Sequence, residues 1–304
     1  MGANPYARGR KTVVIHADDL GMAHGGNIAF GELVRQGVCS SGSVMVPCPW
    51  FPEVAEMAAA DPSLDIGVHL TVNSEKRPYR WRPLTRPSPA AGLTDADGYF
   101  WADGPSVRRQ AHPDAVEAEL RAQIDAVLAA GIDVTHLDDH MGVVMLPEFV
   151  ELYARLGRDY GVPILLPADL TRFHPMSYAG PAATDRYDRV VGEARARGEP
   201  IFDRVMETPW DRTVEAETAY RAMFADIPEG LTYLALHFNA PGDFEAIEPE
   251  FAHIRTEEYA LFRSGLVERL IAEHDLTVIG MRDIRQALRP KRRVYRRLSP
   301  PSAP

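Results

Sequence analysis

The chain has 304 residues, 45% of them hydrophobic and 25% charged, an ordinary globular composition long enough to bury a core without staples. A net charge of −10 and a pI near 5.5 exclude a surface built to neutralise phosphates, so no nucleic-acid partner is expected. No window reaches the apolar length of a membrane span, residues 1–11 lack the apolar core of a secretory signal, and Cys39 and Cys48 alone make no disulfide framework, so no membrane partner and a reduced, cytoplasmic setting are expected.

After a flexible N-terminus (1–11), the first strand candidate, Thr12–Ala17, runs directly into Asp18 and Asp19. Two carboxylates side by side at the end of a buried strand repel each other and require a compensating cation or a shared proton. A helix over Gly25–Gln36 follows, with Gly37 placed as its C-cap. The strand Gly42–Val46, the helix Phe51–Ala60 and the strand Asp65–Leu70 come next, the last carrying His69 near its end. A long insertion from Asn73 to about Gly104 contains Tyr79, Trp81, Tyr99, Phe100 and Trp101 among prolines and glycines. Its aromatics suit either stacking on a sugar face or packing the loop down. Arg77, Arg80 and Arg82 in the same insertion read chiefly as solvated side chains.

The helix Pro113–Ala130, followed by Gly131, leads to the strand Val134–Leu137 and the run "THLDDH" with His136, Asp138, Asp139 and His140. Then come a helix over Pro147–Tyr160, opened by its proline, and a short strand at Ile164–Leu166. A second long connection spans Pro167 to Ala183. Helices over Arg186–Arg197 and Val214–Phe224 precede the strand Leu231–Leu236, which ends on His237. A third long connection, Asn239 to His253, precedes a helix over Thr256–His274 and a strand over Thr277–Ile279. The basic run from Arg289 to Arg297 opens a solvated tail, 289–304.

About seven β-then-α units imply a parallel sheet covered by helices, either an open doubly wound sheet or a barrel. No segment carries a glycine-rich dinucleotide or phosphate-loop fingerprint. With no evident linker, one α/β barrel domain over 12–288 is expected. In such folds sites form at the C-terminal ends of the strands, where four candidate strands here deliver carboxylates or imidazoles. A single histidine more often fills a hydrogen-bonded structural role, the reading given to His16, His24, His112, His174, His253 and His274. The joint pattern is more informative. A carboxylate and two imidazoles with open positions can hold a catalytic divalent ion. One aspartate can then bind the cation while the other stays near it to take a proton.

The segments "HADDLG", "DIGVHLT", "THLDDHMG" and "LALHFNAPGDF" together resemble the successive motifs of the YdjC/ChbG family of carbohydrate deacetylases, related in mechanism to the NodB-type polysaccharide deacetylases. The resemblance runs from about Thr12 to Leu288. It implies a distorted (β/α) barrel and a metal-dependent hydrolase that removes the acetyl group from an N-acetylated amino sugar, such as a chitooligosaccharide. It also implies that Asp19, His69 and His140 bind the metal, that Asp18 is the general base and that His237 is the acid. On this reading His136 supports the site or joins the ligands, and Asp138 and Asp139 orient imidazoles or contact substrate. The implied cofactor is a divalent ion: zinc suits the donors, and magnesium, manganese or cobalt fit with added waters. The implied partner is a small carbohydrate, with homo-oligomer formation left open. Two places depart from the family pattern: His16 and Leu20 stand where asparagine and phenylalanine are usual, and the late motif spaces His237 away from Pro241. The alternatives are another metal-dependent sugar enzyme on the same barrel, an isomerase or lyase, and a non-catalytic carbohydrate-binding protein. The only lysines, Lys11, Lys76 and Lys291, end no strand, which weighs against lysine chemistry.

Overall fold

The computed structural model describes residues 9–172 and 184–288. The basic tail, His174, residues 1–8 and the second long connection from 173 onward lie outside the described residues. Seven strands form one parallel sheet: β1 (Lys11–Leu20), β2 (Ser41–Val44), β3 (Ile66–Leu70), β4 (Leu137–Asp139), β5 (Arg204–Glu207), β6 (Gly230–Leu236) and β7 (Leu276–Val278). They lie in the order β4-β3-β2-β1-β6-β5. β7 pairs with Lys11–Val13, on the edge of β1 that β2 occupies further along. Between β4 and β5 the sheet continues through single bridges, Leu137 to Ile164 and Pro167 to Phe202. Leu165 N–H donates to Leu137 O at 2.9 Å and Phe202 N–H to Leu166 O at 3.0 Å. These bonds link the outer strands, and the sheet curls into a distorted barrel. Every residue of β6 is buried, as expected for a parallel strand packed on both faces.

Helices cover the outside. Before β5 they are α1 (His24–Gln36), α2 (Phe51–Ala60), α3 (Gly104–Gln110), α4 (Pro113–Ala129), α5 (Val150–Tyr160) and α6 (Asp185–Arg197). After it come α7 (Ala216–Ala225), α8 (Phe244–Ile247), α9 (Ala252–Arg263), α10 (Leu266–Glu273) and α11 (Met281–Leu288). Gly37 ends α1 in the left-handed region at φ 83°, its N–H returning to the carbonyls of Leu33 and Val34.

The structure departs from the sequence expectation in several places. The helix expected from Pro147 begins at Val150, and Ile164–Leu166 makes an isolated bridge in place of a strand. The helix expected over Thr256–His274 is two helices, because the chain turns at Ser264 and Gly265 adopts φ 77°. The strand expected at Val134–Leu137 forms instead over Leu137–Asp139, in register with β3 through Val68–Leu137, His69–Asp138 and Leu70–Asp139 pairs. β5 is a strand that the sequence pattern does not announce. It is four residues long with only Val205 fully buried, so it lacks the apolar run that marks its neighbours.

Below the strand ends, the interior is packed tightly around imidazoles. A Cβ on Gly67 would come within 2.5–2.6 Å of His136 Cε1, Nδ1 and Nε2. Glycine is therefore required for close packing at this point of β3. Gly67→Ala is expected to destabilise the fold by about 1–3 kcal/mol through overpacking, read as a lowered urea midpoint at unchanged m-value.

Candidate active site

The C-terminal ends of the strands open into a cleft of about 250 Å3, lined by Asp18, Asp19, His69, Asp139, His140, Glu207 and His237 from the strand ends. Glu75, Lys76, Trp210, Glu248, Phe251 and Arg255 complete the walls from the loops and α9. A cleft of this size can hold a small sugar.

In a regular strand Asp18 and Asp19 would face opposite sides. Here the register of β1 against β2 shifts between Ala17 and Leu20, and Asp19 takes φ 63°. This bulge with a left-handed residue turns both carboxylates to the cleft. Asp19 Oδ1 lies 3.4 Å from His69 Nε2 and 3.2 Å from His140 Nδ1. The three donor groups are buried and lie within 4.8 Å of one another. Asp19 Oδ2 pairs with Arg255 Nη1 at 2.8 Å, yet neither oxygen of Asp19 accepts a well-formed hydrogen bond. Buried carboxylate oxygens without such partners, facing two imidazole nitrogens, fit a divalent cation.

Each imidazole of this set is held from behind by a carboxylate. His69 Nδ1 lies 2.9 Å from Asp138 Oδ1, and His140 Nε2 lies 3.0 Å from Glu75 Oε2. Such partners fix which nitrogen faces a metal. Asp138 Oδ2 in turn accepts from Ser43 Oγ at 2.7 Å and Tyr233 Oη at 2.9 Å, and lies 3.0 Å from His16 Nε2. His16 is buried with its ring nitrogens 2.7 Å from Ser41 Oγ and 3.0 Å from Ser43 Oγ. His16, His136 and Asp138 also form a metal-sized group, but none of them lines the cleft, and His136 Nδ1 lies 2.9 Å from Thr135 Oγ1. His24, His112 and His253 are exposed.

The electrostatics separate the adjacent aspartates. Burial alone raises both, but beside Asp19 the Arg255 guanidinium and the imidazoles of His140 and His69 outweigh it and hold the carboxyl well below the usual range. Asp18 has its Oδ1 3.2 Å from His16 Nε2 and its Oδ2 3.8 Å from His237 Nε2. Burial pushes its carboxyl well above the usual range; His69 opposes this, while Asp138, Asp19 and Glu207 reinforce it. Burial disfavours imidazolium at His140, but Glu75 and Asp19 prevail and raise it to about 9. Burial likewise raises Asp139 to about 7.

The structure thus brings Asp18, Asp19, His69, His140 and His237 to one cleft. The aromatics of the long insertion do not line it. Trp81 and Phe100 are buried, and the indole N–H groups of Trp81 and Trp101 donate to the carbonyls of Asn73 and Gly92 at 2.8 Å. Arg80 pairs with Asp95 at 3.1 Å, and Arg82 lies over the Tyr99 ring. The cleft aromatics are Trp210 and Phe251. Arg255, Glu75 and Thr208 escape sequence reading, yet Arg255 carries a signal. It is a charged residue on the α9 stripe shared with Ala252, Tyr259 and Phe262, all buried.

A divalent ion held by Asp19, His69 and His140 would require both imidazoles deprotonated, against the carboxylates that raise their proton affinity. Calorimetry in buffers of different ionisation enthalpy is expected to show net proton release on zinc binding, and tighter binding at pH 8 than at pH 6. Glu75→Gln is expected to weaken that affinity roughly 10–100-fold, and Asp19→Ala to abolish it.

A model of the YdjC-like protein family matches residues 12–273. A carbohydrate deacetylase from Thermus thermophilus is 33% identical over 92% of this chain and 96% of its own length. A chitooligosaccharide deacetylase from Yersinia enterocolitica is 28% identical over 59% of this chain and 68% of its own length. In fold, an Enterococcus faecalis crystal structure superposes with a TM-score of 0.75 at 21% identity, covering 91% of this chain and 99% of that one. With the family model spanning most of the chain, and a relative matched over nearly all of both lengths, the chain belongs to the YdjC-like family.

Proposed function

We propose that the chain is a metal-dependent N-deacetylase that hydrolyses the acetamide of an N-acetylated amino sugar to acetate and a free amine. The observation that carries this reading is a buried carboxylate with two imidazoles, set beside a separate carboxylate and imidazole in one sugar-sized cleft. The carbohydrate deacetylases among its relatives support it. Asp19, His69 and His140 would hold a divalent ion. When bound, such an ion supplies Lewis acidity that brings the pKa of water towards neutrality and polarises the amide carbonyl. Zinc suits two nitrogens and one oxygen; manganese, cobalt or magnesium would need added waters.

The remaining residues divide the proton work. Asp18, with its raised affinity for a proton, is suited to accept one from the attacking water. His237, with its Nε2 3.8 Å from Asp18 Oδ2, gives a proton to the sugar nitrogen as the C–N bond breaks. Trp210 and Phe251 offer apolar faces to a pyranose ring. Arg255 keeps Asp19 ionised and oriented. Lys76 lines the cleft but pairs with Glu248 at 2.6 Å, which leaves it poorly placed for Schiff-base chemistry and disfavours a lysine-dependent sugar isomerase or lyase.

Acetate release from N,N′-diacetylchitobiose should vanish on chelation and return on adding zinc. Unchanged turnover in the chelated protein would overturn the metal requirement. Asp18→Asn is expected to keep its metal by elemental analysis while kcat falls roughly 10²–10⁴-fold.

A further inference from the structure

Among the described residues, His237 is the one cleft imidazole whose far nitrogen meets a hydroxyl in place of a carboxylate. Its Nδ1 lies 2.9 Å from Thr208 Oγ1, and the Thr208 hydroxyl donates to Glu258 Oε1 at 2.9 Å. The backbone N–H of His237 donates to Glu258 Oε2 at 2.6 Å and lies 3.1 Å from Thr208 Oγ1. The Tyr220 hydroxyl also donates to Glu258 Oε1. Thr208, Glu258 and Tyr220 are buried, and Glu258 is fully so. None of the three lines the cleft, so none can touch substrate.

We propose that Thr208 and Glu258 are positioning residues that fix the tautomer and ring orientation of His237 through a hydroxyl relay, so that Nε2 is the nitrogen exchanging protons in the cleft. This inference rests on the deacetylase reading for its kinetic consequence but not for its structural one. The argument is a count of protons. A threonine hydroxyl has one, and here it is directed to Glu258; its oxygen is left to accept, which requires Nδ1 of His237 to carry hydrogen. Nε2 is then free to gain a proton and to lose it to the leaving amine. Burial, joined by Arg255, His69 and His140 and opposed by Asp19, holds the His237 ring well below the usual imidazole range, and burial raises Glu258 to about 7.

The geometry also explains why the carboxylate belongs to α9. Arg255 and Glu258 are three residues apart and share one face of that helix. One helix therefore sets the ligand Asp19 with its first charge and the acid His237 with its second. A displacement of α9 would disturb both ends of the site together.

The test compares Thr208→Val, which removes the hydroxyl at nearly constant volume, with Thr208→Ser, which keeps it. Histidine-selective 15N NMR of the zinc-supplemented protein, with His237 assigned by its loss in His237→Gln, reads the tautomer directly. The wild type and Thr208→Ser are expected to show a protonated Nδ1, and Thr208→Val to lose that signature while keeping its metal and its cooperative thermal unfolding. On N,N′-diacetylchitobiose, Thr208→Val should lower kcat roughly 10²-fold with KM within about twofold, and Thr208→Ser should restore most of it. An unchanged tautomer in Thr208→Val, or a serine variant no better than valine, overturns the proposal. If the wild type itself releases no acetate, the deacetylase reading fails, and the NMR result alone decides the relay.

Discussion

Adjacent aspartates can serve one cleft only where β1 stops being regular, and the arrangement of the site depends on that local break. The shifted register between Ala17 and Leu20 and the left-handed backbone of Asp19 cost on the order of 1–3 kcal/mol for a non-glycine residue. They place two like charges in one low-dielectric region, a configuration stable only when the surroundings treat the two differently. Asp19 receives Arg255 and the two imidazoles, whereas Asp18 receives burial and further carboxylates. The opposite shifts of the two carboxyls follow from these surroundings, since the two side chains are chemically identical.

Around that pair, each of three cleft imidazoles is held through the ring nitrogen that faces away from the two aspartates. Asp138 holds His69, Glu75 holds His140, and Thr208 with Glu258 holds His237. Asp138 is itself held by Ser43 and Tyr233, so the network reaches into β2 and β6. These partners come from elements far apart in sequence, and in a close-packed interior they cannot shift independently. Rigidity of the barrel is thereby transmitted to the orientation of three rings.

The long insertion after β3 contributes to this rigidity and not to a sugar platform. Its Trp81 donates to the carbonyl of Asn73, and the Asn73 side chain donates to Glu75 Oε2 at 3.2 Å. The aromatics therefore fasten down the short stretch that carries Glu75 to His140. The aromatic surface lining the cleft comes instead from Trp210 and Phe251, on connections following β5 and β6.

The sequence by itself determined the alternation of strands and helices, the parallel sheet and the clustering of carboxylates and imidazoles at strand ends. These depend on local periodicity and on residue type, which a single chain displays. It also pointed to Asp18, Asp19, His69, His140 and His237, through its resemblance to the family's motifs. It left β5 and the break at Gly265 unmarked, since short strands and single-residue turns carry little periodic signal. Only the tertiary structure decided which groups stand behind those residues. Glu75 and Thr208 look like ordinary loop residues, and Arg255 and Glu258 are charges on the apolar stripe of α9 with no evident partner, until the barrel closes and packs them against groups distant in sequence. Their roles come from burial and from the proximity of opposite charges, and both exist only in three dimensions.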